Sequence, residues 1–211
     1  MNEAQAVLDF FSKKENLSLG LSVAELMDEL REKQNSSFWL ALQQRLNAQP
    51  GINASEWQVH TTEDRNAADA LVGLQCKLCN PQERCLFPMM EQQYLGGVWR
   101  IYMGLMWQTP PSAEHLILPA VATLKQAMTD TGFGSNDNFL AWQWTRLYPR
   151  RSEFLLRYSR HPEQLLDEVE ALFNSLLIPH REQIAAANAA LSTAPRSMPV
   201  SLDQLRRKRE D

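Results

Sequence analysis

No stretch of this sequence approaches the roughly eighteen consecutive apolar residues that a membrane-spanning helix requires. The densest run, Val98 to Trp107, is interrupted by Arg100. No membrane segment is expected. The opening residues, Met1 to Phe11, lack a basic stretch followed by an apolar core of signal-peptide length. Cysteines are few and odd in number, three in 211 residues, which points away from structural disulfides. The expected setting is therefore a reducing, cytoplasmic one. Basic residues are also in deficit, 21 against 25 acidic, for a net charge of −4 and a pI near 5.6. That is the wrong sign for a protein that works mainly by neutralising phosphates, so a protein or small ligand is expected before nucleic acid. Catalytic signatures are missing too: there is no G-x-S-x-G elbow, no H-E-x-x-H and no Walker loop. Gly132-Phe-Gly-Ser135 leads into an expected strand, so it lacks the helix N-terminus on which a phosphate would sit.

What the chain does have is enough apolar material for one self-sufficient core. Hydrophobic residues make up 44% and charged residues 22% of its 24.2 kDa. Scaling relations give roughly 10,000 Å² of folded surface against roughly 35,000 Å² for the open chain, so folding can bury about 70% without metal or disulfide. Charge is unevenly placed. Residues 192–211 carry five basic and three acidic groups, +2, which leaves −6 for residues 1–191. The organisation expected is a single globular domain over 1–191 and a flexible basic tail over 192–211, ending in Arg206 to Arg209.

Periodicity divides the body. Ser22-Val-Ala-Glu25 has the spacing of a capping box, and Val23, Leu26, Met27 and Leu30 follow at helical intervals. A polar break at Gln34 to Ser37 precedes Trp39, Leu42 and Leu46, so helices are expected over about 2–12, 22–34 and 36–48, ending at Pro50-Gly51. The period then drops to two. Ala70, Val72, Leu74, Cys76 and Leu78 alternate with Gly73, Gln75 and Lys77, the pattern of a half-buried strand. Strands are expected near 57–61, 70–78, 97–107 and 139–145, with 97–107 apolar on both sides and so central and covered twice. A buried helix over 97–107 is the alternative. Pro119 opens a further helix to Gly132, and an amphipathic stripe from Leu165 to Leu177, restarting after Pro179, forms a long carboxy-terminal helical segment. The fold class is α+β, a short mixed or antiparallel sheet flanked by these helices.

Three constellations are candidates for chemistry. Cys76, Cys79 and Cys85 have spacings at which thiolates share zinc, with His60 or His115 to complete a tetrahedron. However, Cys76 and Cys79, three apart on a strand, point to opposite faces, and buried or incidental thiols are the favoured reading. Gln75-Cys76-Lys77, with Asp64 and Asp69 before it and Glu91 to Tyr94 after it, resembles the core of PD-(D/E)xK nucleases. There a strand bearing E-x-K or Q-x-K aims a metal-ligating group and a lysine at the scissile phosphate, and the following helix often carries glutamine and tyrosine. The resemblance implies Asp64 or Asp69 as metal ligand beside Gln75 and Lys77. It departs from that pattern in the missing acid on the 57–61 strand, and a polar solvent face is the favoured reading. His115 beside Glu114 and His161 before Pro162 read more simply as local structure, the latter as a helix cap.

Six tryptophans are many for this length, and Trp99, Trp107, Trp142 and Trp144 fall in two of the expected strands. Core packing accounts for indoles generally. An incompletely covered sheet would instead present them, with Arg100 and Arg146 nearby, as a groove for a ligand or peptide. The expectation is a non-enzymatic interaction or ligand-sensing protein, an adaptor, chaperone or inhibitor. A divergent PD-(D/E)xK-like nuclease fold and a zinc-stabilised binding module are the alternatives.

Overall fold

The computed structural model describes residues 2–49, 52, 56–64, 67–80 and 84–194. The alternating segment around Leu74 is indeed a strand. Among the described residues it is the second of five: β1 (Trp57–Asp64), β2 (Ala67–Leu78), β3 (Leu86–Leu95), β4 (Val98–Trp107) and β5 (Phe139–Trp144). They form one antiparallel sheet in sequence order. Two helices precede it, α1 (Glu3–Phe11) and α2 (Leu17–Asn47). Then α3 (Ala113–Leu116) and α4 (Pro119–Asp130) link β4 to β5, and α5 (Ser152–Arg160), α6 (Pro162–Leu177) and α7 (Arg181–Thr193) close the fold. The architecture is α+β, with helices at both ends of an antiparallel sheet.

Residues opposite one another in an antiparallel ladder share a face, so the register sorts the sheet into two sides. One side carries Val59, Leu74, Cys76, Met90, Ile101, Met103 and Leu105, all essentially inaccessible and clustered with Phe38, Trp39, Leu42 and Leu46 of α2 and Leu165, Val169 and Phe173 of α6. The other side carries His60, Gln75, Glu91, Arg100, Tyr102, Trp142 and Trp144, which are half-buried or exposed, together with Phe87 and Met89, which are buried. Double coverage of β4 is thus corrected: Val98, Arg100, Tyr102 and Met106 all remain partly exposed.

β3 is absent from the expected strands because Pro88 and the polar run Glu91-Gln92-Gln93 mask its alternation. Proline is tolerated there because β2 pairs with β3 only from Gly73↔Glu91 to Gln75↔Met89, so the ladder stops one residue short of Pro88. β3 turns into β4 through Gly96 and Gly97, both with positive φ (60° and 86°), as a two-residue hairpin loop demands. The other expected break fails for a tertiary reason. α2 runs unbroken through Gln34 to Ser37 and through Ser22, so neither the break nor the capping box exists. Asn35 is instead buried and donates to the Leu71 carbonyl at 3.1 Å, while Ser37 lies 3.3 Å from the Tyr158 hydroxyl. His161 occupies the N-cap position of α6 but its side chain makes no capping bond there. Ser192 and Thr193 belong to α7, and Pro50-Gly51 and residues 195–211 lie outside the described residues.

Helix amides satisfy strand edges that lack a neighbour. Asn47 of α2 accepts from the Val59 N–H at 2.9 Å and donates to its carbonyl at 3.0 Å, on the outer edge of β1. Asn188 of α7 does the same for Leu86, accepting at 2.7 Å and donating at 3.0 Å, where β2 no longer reaches β3. Arg45 of α2 meets Glu163 at 2.8 Å, and also Asp167 and Glu170, three acids on one face of α6. By contrast, α1 has no buried residue, and in α2 none precedes Asn35. Leu19, Val23, Leu26 and Leu30, spaced at alternating four- and three-residue steps, are 39–61% exposed.

Gly73 marks the last β2–β3 pair, and its lack of a side chain is what lets the strands meet. A Cβ there would lie 2.4 Å from the Met90 carbonyl oxygen and 2.6 Å from the Glu91 Cα. Gly73→Ala is expected to lower unfolding stability in urea by about 1–3 kcal/mol, the usual cost of overpacking. Gly134→Ala, whose nearest atoms would lie at 3.9 and 4.0 Å, is the control and stays within about 1 kcal/mol of the parent.

Candidate functional site: a groove on the open face of the sheet

Beyond Gly73 and Glu91 the two hairpins part company. β2 continues toward Ala67 paired only with β1, and β3 continues toward Leu95 paired only with β4. The parting leaves a groove of about 870 Å³. Thr62, Glu63, Asp64 and Val72 line it from the β1–β2 side, and Gln92, Gln93, Tyr94 and Trp99 from the β3–β4 side. Gln75, Glu91, Tyr102 and Met106 come from the central strands, with Asn138 just before β5 and Phe139 at its start.

Glu91 is the polar centre. Its carboxylate accepts from the Gln75 amide at 3.2 Å and from the Tyr102 hydroxyl at 3.0 Å, two neutral donors from the strands on either side. Gln92, next along β3, is only 4% exposed. Its amide nitrogen donates to the Leu71 carbonyl at 3.3 Å, while its Oε1 has no hydrogen-bond partner among the described residues. By register Gln92 shares the helix-facing side with Met90 and Ile101, so of these two neighbours it is Glu91 that the open face presents. Around it runs a chain of rings: Phe139 to Tyr102 with centroids 5.9 Å apart, Tyr102 to Trp144 at 5.4 Å, and Trp144 to Trp142 at 5.9 Å. Arg100 stacks 5.4 Å from the Trp144 centroid and donates to the Thr145 carbonyl at 2.7 Å, which holds it beside the rings.

The residues singled out from the sequence are only partly assembled here. Gln75 and Asp64 line the groove, but Lys77 lies over the Phe87 ring at 5.1 Å and is not among its lining. Asp69 falls in β2, in the part of that strand whose side chains lie outside the described set. Glu91 to Tyr94, expected by the nuclease resemblance on a helix, lie on β3. Trp142 and Trp144 sit half-buried on the open face, whereas Trp107 is 5% exposed and belongs to the core. Trp99 is half-buried at the hairpin end, stacked under Arg150 at 4.2 Å. Arg146 lines a separate small depression with Tyr148, Arg151 and Arg157. Cys76 and Cys85 are buried and Cys79 is exposed, while His60 is exposed on the opposite face from Cys76. Among the described residues no three His, Cys, Asp or Glu side chains converge as metal ligands. His115 is buried and accepts from the Ser112 N–H at 2.9 Å, a helix-capping contact.

Glu91, Gln92 and Tyr102 were not picked out from the sequence as site residues. The signal for Tyr102 is present: on β4 the polar side chains Arg100 and Tyr102 share one parity, while the other reads Trp99, Ile101, Met103, Leu105, Trp107. No family model, no curated protein and no solved structure matches this chain. Among the described residues no helix is long and apolar enough to cross a membrane.

Burial pushes the Cys76 thiol from an ordinary 9.0 up to about 12, with neighbouring Cys79 adding to the effect. The unfolded chain releases that proton near its ordinary value and the folded chain does not. Cys76 therefore leaves stability untouched below pH 9 and lowers it as pH rises from 9 toward 12. Urea midpoints at pH 8 and pH 10.5 are expected to fall more steeply for the parent than for Cys76→Ala. Equal slopes would show that Cys76 ionises freely.

Proposed function

We propose that this protein is a non-enzymatic interaction protein, an adaptor, chaperone or inhibitor in the cytoplasm, that receives a protein partner or small ligand on the open face of its sheet. One observation carries the reading: on the side of the sheet opposite the face packed against α2 and α6, the groove lies beside half-buried Tyr102, Trp142 and Trp144 among the described residues. Half-exposed aromatic rings held in place by strand register lose little conformational entropy on contact, which is what an anchoring residue needs. The bare amino-terminal helices add independent support for a macromolecular partner, because apolar side chains at that density are seldom left to water without one.

A degenerate PD-(D/E)xK-like reading retains one supporting observation, the Gln75 amide against the Glu91 carboxylate within the groove. It is weakened by Lys77, which packs on Phe87 outside that groove.

Affinity capture of the native protein should be run with the parent and with a Tyr102→Ala, Trp144→Ala variant of confirmed fold. The partner recovered with the parent is expected to drop at least about tenfold with the variant, the effect of losing one anchoring ring or more. Equal recovery would place recognition away from the open face.

A further inference from the structure

The bare stripe on α2 has the same spacing in both directions along the helix. Leu19, Val23, Leu26 and Leu30 are separated by four, three and four residues, the a/d spacing of a two-helix seam, and reversal leaves that order unchanged. We infer that this stripe is a self-association surface, on which a second copy of the chain lays its own stripe antiparallel, across a two-fold axis between Val23 and Leu26. The inference is independent of the open face of the sheet. In this arrangement Leu19 of each copy meets Leu30 of the other and Val23 meets Leu26, so each apolar side chain of the stripe finds an apolar counterpart.

The stripe is free to be covered. By helical periodicity it lies on the far side of α2 from Trp39, Leu42 and Leu46, which face the core. α1 packs beside it and not over it: a Cβ on Gly20 would lie 3.0 Å from the Phe11 ring, and Asn16 ties the turn by donating to the Phe10 carbonyl at 3.0 Å. From Leu17 to Gln34 no residue of α2 is buried, a length of about 27 Å. Helices draw most of their stability from packing an apolar face, and here that face is left open. With Met27 at its edge, the residues of the stripe are 39–61% exposed. That amounts to about 450 Å² per copy, which matches the apolar share, a little over half, of the about 800 Å² that each side of a stable interface buries.

Charge selects both the occupant and its direction. Lys33 is the next position of the stripe after Leu30, and Glu15 precedes its first turn; both are exposed. Antiparallel packing sets Lys33 of each copy opposite Asn16 and beside Glu15 of the other, whereas a parallel seam stacks Lys33 on Lys33. Glu25, Asp28, Glu29 and Glu32 outnumber Arg31 and Lys33 along the same stretch. That sign is wrong for an anionic lipid surface, the other setting in which an amphipathic helix lies down.

Analytical ultracentrifugation of the full chain over about 1–100 µM is expected to show a species of twice 24.2 kDa that dissociates on dilution. Leu26→Glu, at an exposed residue, is expected to weaken the dimer at least about thirtyfold, because two-fold symmetry counts one anchor twice. The near-ultraviolet circular dichroism of the core tryptophans is expected to be unchanged in that variant. Leu21→Glu, on the opposite side of α2, is the control and keeps the dimer. Direction is read by disulfide formation in a Cys79→Ser background: chains bearing Leu19→Cys and Leu30→Cys are expected to join when mixed and to remain unjoined when each is oxidised alone. A monomer throughout that concentration range overturns the inference, and a foreign protein whose capture is lost in Leu26→Glu then takes the stripe instead. A dimer indifferent to Leu26→Glu, or Leu19→Cys chains that join like to like, overturns it as well. The result is separable from capture on the open face: the Tyr102→Ala, Trp144→Ala variant is expected to remain dimeric, and its loss of the dimer also counts against the stripe.

Discussion

β2 and β3 share only three register pairs, and the rest of the molecule is arranged around that short seam. A longer ladder would have left no groove. Because it is short, each strand carries a stretch of backbone whose hydrogen-bonding groups have no strand beside them, and buried backbone groups must find partners elsewhere. At the Leu86 end Asn188 supplies both a donor and an acceptor, standing in for the missing strand. At the other end the Leu71 carbonyl takes donors from Asn35 and from Gln92. The helices are therefore attached to the sheet by amides at its unpaired edges as well as by apolar packing, and Asn47 repeats the device on the outer edge of β1. Gly73 sits at the pinch point, where the two backbones come too close for any side chain.

The same seam separates the two kinds of surface. Where the strands are paired, the helix-facing side is closed by α2 and α6 and filled with Leu74, Met90, Ile101 and Met103. Where they part, half-buried polar groups collect on the open side, and Glu91 meets Gln75 and Tyr102 across neighbouring strands. Glu91 is thus an anion held by two neutral donors on the open side, while Gln92, its neighbour on β3, turns to the helix-facing side.

Much of the architecture is legible along the chain. The alternation of Ala70 to Leu78 marks β2, Pro119 and Pro162 open α4 and α6, and the stripe from Leu165 to Leu177 faces the core, because each of these is a local periodicity set by a repeating geometry. β3 is illegible by the same standard. Pro88 and Glu91-Gln92-Gln93 break every local strand rule, and each is tolerated for a reason that lies elsewhere: the end of the β2 ladder, the hydroxyl of Tyr102, the carbonyl of Leu71. The Gln34 to Ser37 break failed likewise, since Asn35 and Ser37 are polar for partners on β2 and α5 that no local window contains.

The sequence alone determined the α+β class, the charge division between body and carboxy terminus, the improbability of a membrane helix and the presence of aromatic strands, because composition and short-range period suffice for each. Only the tertiary structure decided which indoles meet solvent, that Lys77 turns to Phe87 while Gln75 turns to Glu91, and that Glu63, Asp64 and Glu91 meet among the described residues that line the groove. Those outcomes depend on register, and register is a relation between strands. A shift of one residue exchanges the two faces of a strand, so the chemistry of the open side is settled only when β2, β3 and β4 have found their partners.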